Sequence, residues 1–304
     1  MMSFLQILID AISLGSLYAL VALGIGLLFG ILRLINFAQG DFVTLGAYAL
    51  LVPSTNVVAV VFIGGWPLVP LVLTICLIVV AIALLCDFAV FRNLRRANPT
   101  SLLIASFALS YVIQNLILMI HGARPKSVDL WSGLTKVIAI GGMRVPILQL
   151  VMVSVTVVLL IVLVLFLQKT KYGIQMRAAS EDFAMARYLG IKADFVIGLA
   201  FGISGILAAV VALLVVAQAG IVSPIMGVNL VIFGFIATVI GGMGSLSGSV
   251  IGGMAVGMAS TFMQAYLPPD ARAFRDAFVF ALVILFLLLR PSGIVKVKAL
   301  QERV

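Results

Sequence analysis

Long apolar runs alternate along this chain with short polar interruptions. Charges, Gly and Pro delimit apolar segments near 4–30, 43–62, 67–90, 100–120, 146–167, 194–217, 228–241, 249–267 and 274–290. Crossing a hydrocarbon core takes roughly 20 helical residues, and most of these runs approach that length. None shows the ten-residue alternation of an outer-membrane barrel strand. Helices are therefore the spanning element, because only they satisfy their backbone groups within the segment. The segments 228–241 and 249–267 are short and Gly-interrupted. The pattern predicts an all-α polytopic membrane bundle of about eight or nine crossings, with broken or re-entrant helices. A single transmembrane domain is expected over residues 1–304.

Composition agrees with the pattern. Of 304 residues, 64% are hydrophobic and 10% charged, and the mean hydropathy is +1.32. Soluble domains are about half apolar and about a quarter charged, so a soluble enzyme is excluded. The net charge of +9 resides in basic residues between the spans. That is the distribution of an orientation signal, not of a nucleic-acid surface. Lys and Arg in 91–99, in 168–194 and in the tail from Arg290 assign those segments to the cytoplasm. Parity then places 121–145 outside despite its own basic residues, and the C-terminus inside. The side of the N-terminus depends on whether 4–42 crosses once or re-enters.

Catalytic and cofactor chemistry finds little support. Cys76 and Cys86 share one apolar run and read as buried hydrophobes. The N-terminus lacks the basic region of a cleaved signal peptide. His121 is the single histidine, with no cluster at metal-ligand spacing. The string Gly202-Ile203-Ser204-Gly205 resembles the nucleophile motif of rhomboid-type proteases, but that chemistry needs a histidine base on a facing helix. No G-x-x-x-x-G-K-[ST] string is present, so the chain cannot cradle ATP through a P-loop. No cofactor and no catalytic residue are expected, and any ATPase is a separate chain.

What remains are polar residues in apolar surroundings. In "RLINFAQGDF" (33–42), Asn36, Gln39, Gly40 and Asp41 fall in a Gly-flanked helix break, which lipid tolerates where it lines a cavity. Gln114, Asn115 and Thr238, with Gln218 and Asn229, raise the same question. Each could line a solute pathway or hydrogen-bond neighbouring helices as packing glue. Asp41 could also cap a helix at 42–50, and Arg33 could snorkel to an interface. Gly241, Gly242, Gly244 and Gly248 form either a gating hinge or a close-packing turn. Four-residue glycine spacings such as Gly26–Gly30 and Gly253–Gly257 let helix backbones approach closely.

The hydrophilic segment 168–194 predicts a short helix of about 14 Å. Ser180 stands as its N-cap, Glu181 and Asp182 in its first turn, and Gly190 as its stop. Phe183, Ala184, Tyr188 and Leu189 would form a small apolar patch. That patch could lie on the bundle itself or fill the groove of a cytoplasmic partner.

"RAASEDFAMARYLGIKAD" resembles the cytoplasmic coupling segment of bacterial ABC-importer permeases of the branched-chain amino-acid type. In that family an R-A-x-x-E-D…A…L-G-I pattern docks on the ATPase. "GLLFGILRLINFAQGDFVTLGAY" is similar to the family's first block, "IATVIGGMGSLSG" to its third, and "RPSGI" (290–294) to its closing cytoplasmic end. These landmarks run from residue 20 to 294 in family order. The resemblance implies that Arg177, Ala178, Glu181, Asp182, Ala186, Leu189 and Gly190 face the ATPase. It further implies a bacterial inner-membrane importer subunit, the shorter of two paired and commonly non-identical permeases. Two cytoplasmic ATPase subunits, an extracytoplasmic solute-binding protein and the lipid bilayer would be its partners. Branched-chain amino acids are the implied solutes, although relatives carry urea, short amides and aromatic acids. A stand-alone channel or secondary transporter is the competing class.

Overall fold

The computed structural model describes residues 4–32, 35–54, 59–94, 98–131, 136–140, 143–181, 183–291 and 293–295. Its helices are α1 (Phe4–Leu32), α2 (Gln39–Tyr48), α3 (Leu68–Cys86), α4 (Arg92–Leu94), α5 (Pro99–His121) and α6 (Ile147–Lys169). Then follow α7 (Lys171–Glu181), α8 (Phe183–Tyr188), α9 (Ala193–Ala219), α10 (Met226–Gly241), α11 (Leu246–Tyr266) and α12 (Arg275–Leu289). Short strands β1 (Lys126–Ser127), β2 (Val137–Ile140), β3 (Met143–Pro146) and β4 (Ile221–Val222) lie between them. Among the described residues, six helical stretches are long and apolar enough to cross a membrane: Phe4–Ile31, Leu68–Leu94, Thr100–His121, Ile147–Lys169, Asp194–Ala219 and Leu246–Tyr266. The apolar α10 is shorter, at 16 residues.

Local chemistry explains the ends of these helices. Asn98 is extended and Pro99 occupies the first helical position of α5, where its missing N–H is no loss. Gly220 ends α9 with φ of 64° and donates its N–H to Val216 O, the left-handed stop that glycine adopts without strain. Ser245 caps α11 by accepting from Gly248 N at 3.0 Å.

Two expectations fail locally. Residues 43–62 are not one apolar helix. The helix starts at Gln39 and ends at Tyr48, after which Val52 N donates to Val60 O and Phe62 N to Leu50 O. Pro53 holds the residue before it extended and has no N–H to give; uniform apolarity cannot distinguish this segment from helix. Ser180 is not an N-cap either. It lies in the last turn of α7 with its hydroxyl donating to Arg177 O at 2.7 Å. The helix begins much earlier, where Thr170 Oγ1 accepts from Gly173 N at 3.0 Å. Gly190 does take the expected left-handed conformation, at φ 83°.

The chain divides into two interleaved compact units, one of residues 1–26, 131–163 and 233–304, the other of 27–130 and 164–232. In the second unit α9 packs along α2 and α3, and α2 also lies against α5. Leu71, Ile75, Val79 and Ala83 of α3 form a fully buried stripe at four-residue spacing, while Leu73 and Leu77 are 64% and 70% exposed. Gly205 of α9 sits against Val79 and Ala83, and Gly46 of α2 against Val79 and Ala212, so small residues set the approach of these helices. Strand β1 pairs antiparallel with β4. In the first unit α11 packs on α12, and β2 and β3 form a hairpin.

Candidate functional site

The second unit buries α2 almost completely, and its polar side chains are buried with it. The preceding break covers Ile35 to Ala38; Gln39, Gly40 and Asp41 already belong to the first helical turn. Asn36 starts that turn by accepting from Ala38 N on Oδ1 at 3.1 Å. Its Nδ2 is buried without a hydrogen-bond partner. Gln39 pairs at both ends with α9: Nε2 donates to Ser204 O at 3.1 Å, and Ser204 Oγ donates to Gln39 Oε1 at 2.7 Å. This contact uses the Ser204 hydroxyl of the G-x-S-G string as a packing partner of Gln39.

Asp41 is not a helix cap. It turns toward α5, where Gln114 Nε2 donates to Oδ1 at 3.1 Å and also to Ser110 Oγ at 2.9 Å. The Ser110 hydroxyl also lies against this carboxylate, whose second oxygen, Oδ2, is buried without a partner of its own. Gly40 lies at a backbone crossing, where a Cβ would come 2.2 Å from Gly227 O. Beside it Thr44 Oγ1 accepts from Gly227 N at 3.1 Å and donates to Gly40 O at 3.3 Å. One N–H of the first turn of α10 is thus satisfied by a side chain from α2.

The other polar candidates lie elsewhere. Asn115 bonds its own helix at Tyr111 O, 2.7 Å away. Gln218 and Asn229 are exposed. Arg33 lies outside the described residues. Thr238 belongs to the first unit, where its hydroxyl lies 2.8 Å from Gly234 O and 3.2 Å from Ala22 O. Close by, a Cβ on Gly241 would come 1.9 Å from Gly248 O, and one on Gly252 1.9 Å from Ala237 O. Gly242 and Gly244 carry the positive φ of the turn between α10 and α11. These glycines form a close-packed crossing and its turn.

Unpartnered polar atoms are unevenly shared. Among the described residues, six buried side-chain atoms lack a hydrogen-bond partner, four on Asn36, Asp41, Tyr48 and His121 of the second unit and two on Gln149 and Ser260 of the first. Each such atom costs about 1–3 kcal/mol when left unmet, so their concentration calls for a reason beyond packing. Ser110, Thr44 and Ser204 were not singled out as partners by sequence pattern, because isolated Ser and Thr in apolar helices most often bond their own backbone.

In the segment between α6 and α9, Met176, Ala179 and Ala186 are buried, whereas Met185, Tyr188 and Leu189 are 62%, 87% and 80% exposed. Arg177 is exposed and Ala178 partly so. Asp182 and the side chains of Glu181, Phe183, Ala184 and Arg187 lie outside the described residues.

Among the described residues, six helices of membrane-crossing length and a short buried helix carrying polar groups mark a multi-pass membrane protein. More narrowly, the chain belongs to the family described as "Branched-chain amino acid transport system / permease component", whose model matches residues 7–287. It is 31% identical to the high-affinity branched-chain amino acid transport system permease protein BraD of Pseudomonas aeruginosa, over 96% of this chain and 95% of that protein. It is 32% identical to the permease protein LivH of Escherichia coli K12 over the same shares. A probable LivH of Methanocaldococcus jannaschii is 30% identical over 95% of this chain and 91% of its own length. No solved structure matches the chain.

Proposed function

We propose that this chain is the solute-conducting subunit of an ATP-driven importer for branched-chain or related amino acids, a single transmembrane domain with a cytoplasmic C-terminus. ATP hydrolysis resides on separate subunits, a second permease completes the pathway, and an extracytoplasmic binding protein delivers the solute. The relatives' names support the solute class. The observation that carries the pathway reading is the pair of unmet atoms beside the α2 break, the donor Asn36 Nδ2 and the acceptor Asp41 Oδ2. Gln114 lies seven residues before the end of α5, about 10 Å along the helix. These groups therefore sit well inside an apolar span, where an ionisable side chain is a functional candidate by default. An amino acid offers both complements, a carboxylate for the amide donor and an ammonium for the carboxylate.

The segment 168–194 is the coupling element of this reading. Met185, Tyr188 and Leu189 present apolar surface on a short helix, the type of knob that a partner's groove buries. Arg177, Ala178, Glu181, Asp182 and Gly190 complete the motif that faces the ATPase, while Ala186, expected there too, is buried.

The test is uptake of radiolabelled L-leucine into proteoliposomes holding this chain with its second permease and ATPases. Uptake that requires both lumenal ATP and the leucine-loaded binding protein is expected. Equal uptake by this chain alone, without ATP, would establish the channel or secondary-transporter class instead.

A further inference from the structure

At the end of the second unit where α2, α5 and α9 stop, a second polar group is buried that the pathway above does not use. Tyr48 closes α2 and His121 closes α5, with ring centroids 4.6 Å apart. Both lie seven residues beyond the Asp41–Gln114 contact, so α2 and α5 run in the same direction and the group is one heptad further along their seam. Tyr48 is 3% and His121 8% exposed. The Tyr48 hydroxyl and His121 Nδ1 have no hydrogen-bond partner.

A buried cation follows the end of α5. Lys126 of β1, five residues after His121, is 1% exposed. Its Nζ donates to the backbone carbonyl and the hydroxyl of Ser54, in the segment that follows α2. Strand β1 is itself held by β4 after α9. A tie between loops accounts for the Lys126–Ser54 contact, and the partial negative charge of helix C-termini favours a cation there. Neither accounts for two further buried polar atoms left unmet. A tyrosine hydroxyl, an imidazole nitrogen and an ammonium are all able to donate, and a carboxylate accepts several such bonds at once.

We propose that Tyr48, His121 and Lys126 form a receiving station for the carboxylate of the transported solute. The station lies about 10 Å along the seam from Asp41. The inference rests on the reading of this unit as the conduction route, and it narrows the solute class. A carboxylate offers two acceptor oxygens and the charge that complements an ammonium, whereas urea and neutral amides offer one neutral carbonyl. With 121–145 on the outer side, solute meets this station before Asp41.

Uptake of L-leucine by the assembled transporter, normalised to inserted protein, tests the proposal. Tyr48→Phe keeps the ring and removes the donor, and should lower uptake about tenfold, as expected for losing a hydrogen bond to a charged group. Lys126→Met should lower it further. His121 is the single histidine of the chain, so its carbethoxylation, read by peptide mass, reports the station directly. L-leucine should protect it, and 3-methylbutylamine, which lacks the carboxylate, should not. Wild-type uptake by Tyr48→Phe overturns the station, even if Lys126→Met fails to insert. Equal protection by the amine, or no modification of His121 under any condition, overturns it too. A wild-type assembly that takes up no leucine refutes the underlying reading instead.

Discussion

The α2 region and the α10–α11 crossing, each within its own unit, both set polar side chains among glycines, yet they resolve them differently. At the crossing Gly241, Gly248 and Gly252 bring backbones together, and Thr238 has carbonyls within reach of its hydroxyl. Around α2, Gln39 is paired at both ends, while Asn36 and Asp41 each leave one buried atom unmet. Polar residues whose groups are all met read as glue, and those that remain unmet read as ligands in waiting. Residue type alone does not separate the two; the partner count does.

Substitutions can break this contrast, beginning with the largest effect. Gly241→Val places a side chain where even a Cβ would lie 1.9 Å from a carbonyl oxygen, and should cost about 3 kcal/mol or more. Loss of inserted, monodisperse protein on size-exclusion chromatography checks it. Gln39→Ala removes both bonds to Ser204 and should lower stability by about 2 kcal/mol, seen as a lower Tm in detergent together with reduced uptake. Asp41→Asn keeps an acceptor for Gln114 and nearly the same volume. Its Tm should stay close to wild type while leucine uptake falls about tenfold, or about 1.4 kcal/mol in the barrier. A matched fall in Tm would place Asp41 with the glue.

Thr238→Val should show the reverse pattern. A loss of about 1 kcal/mol in stability is expected, with uptake per inserted molecule unchanged. The smallest effect belongs to the exposed pair Arg92–Asp194, 3.1 Å apart with side chains 47% and 58% exposed. Arg92→Ala should change stability by no more than about 0.5 kcal/mol, within the error of the melting assay.

Much of the architecture was legible as pattern. Helices α3, α5, α6, α9, α11 and α12 begin and end within a few residues of the apolar segments, because in lipid a long apolar run has one way to satisfy its backbone. Apolarity alone does not mark the end of α2 at Tyr48, because Leu, Val, Ala and Phe are equally compatible with helix and extended chain. The polar residues of the candidate site stood out by type against their apolar background. Ser204, Ser110 and Thr44 did not, since their part is set by what lies across from them.

The sequence by itself determined that this is a multi-pass helical permease, roughly where its helices run and which residues are too polar for their surroundings. Only the tertiary structure decided which face of each helix is buried. On α3, Leu71 and Leu73 are the same residue type two positions apart, yet one is fully buried and the other 64% exposed. In water, polarity would have marked that difference along the chain; in an all-apolar helix nothing marks it until a neighbour packs. The same holds for Gln39 and Asp41, whose hydrogen bonds depend on Ser204 and Gln114, far away in sequence and adjacent only once α2, α5 and α9 have packed.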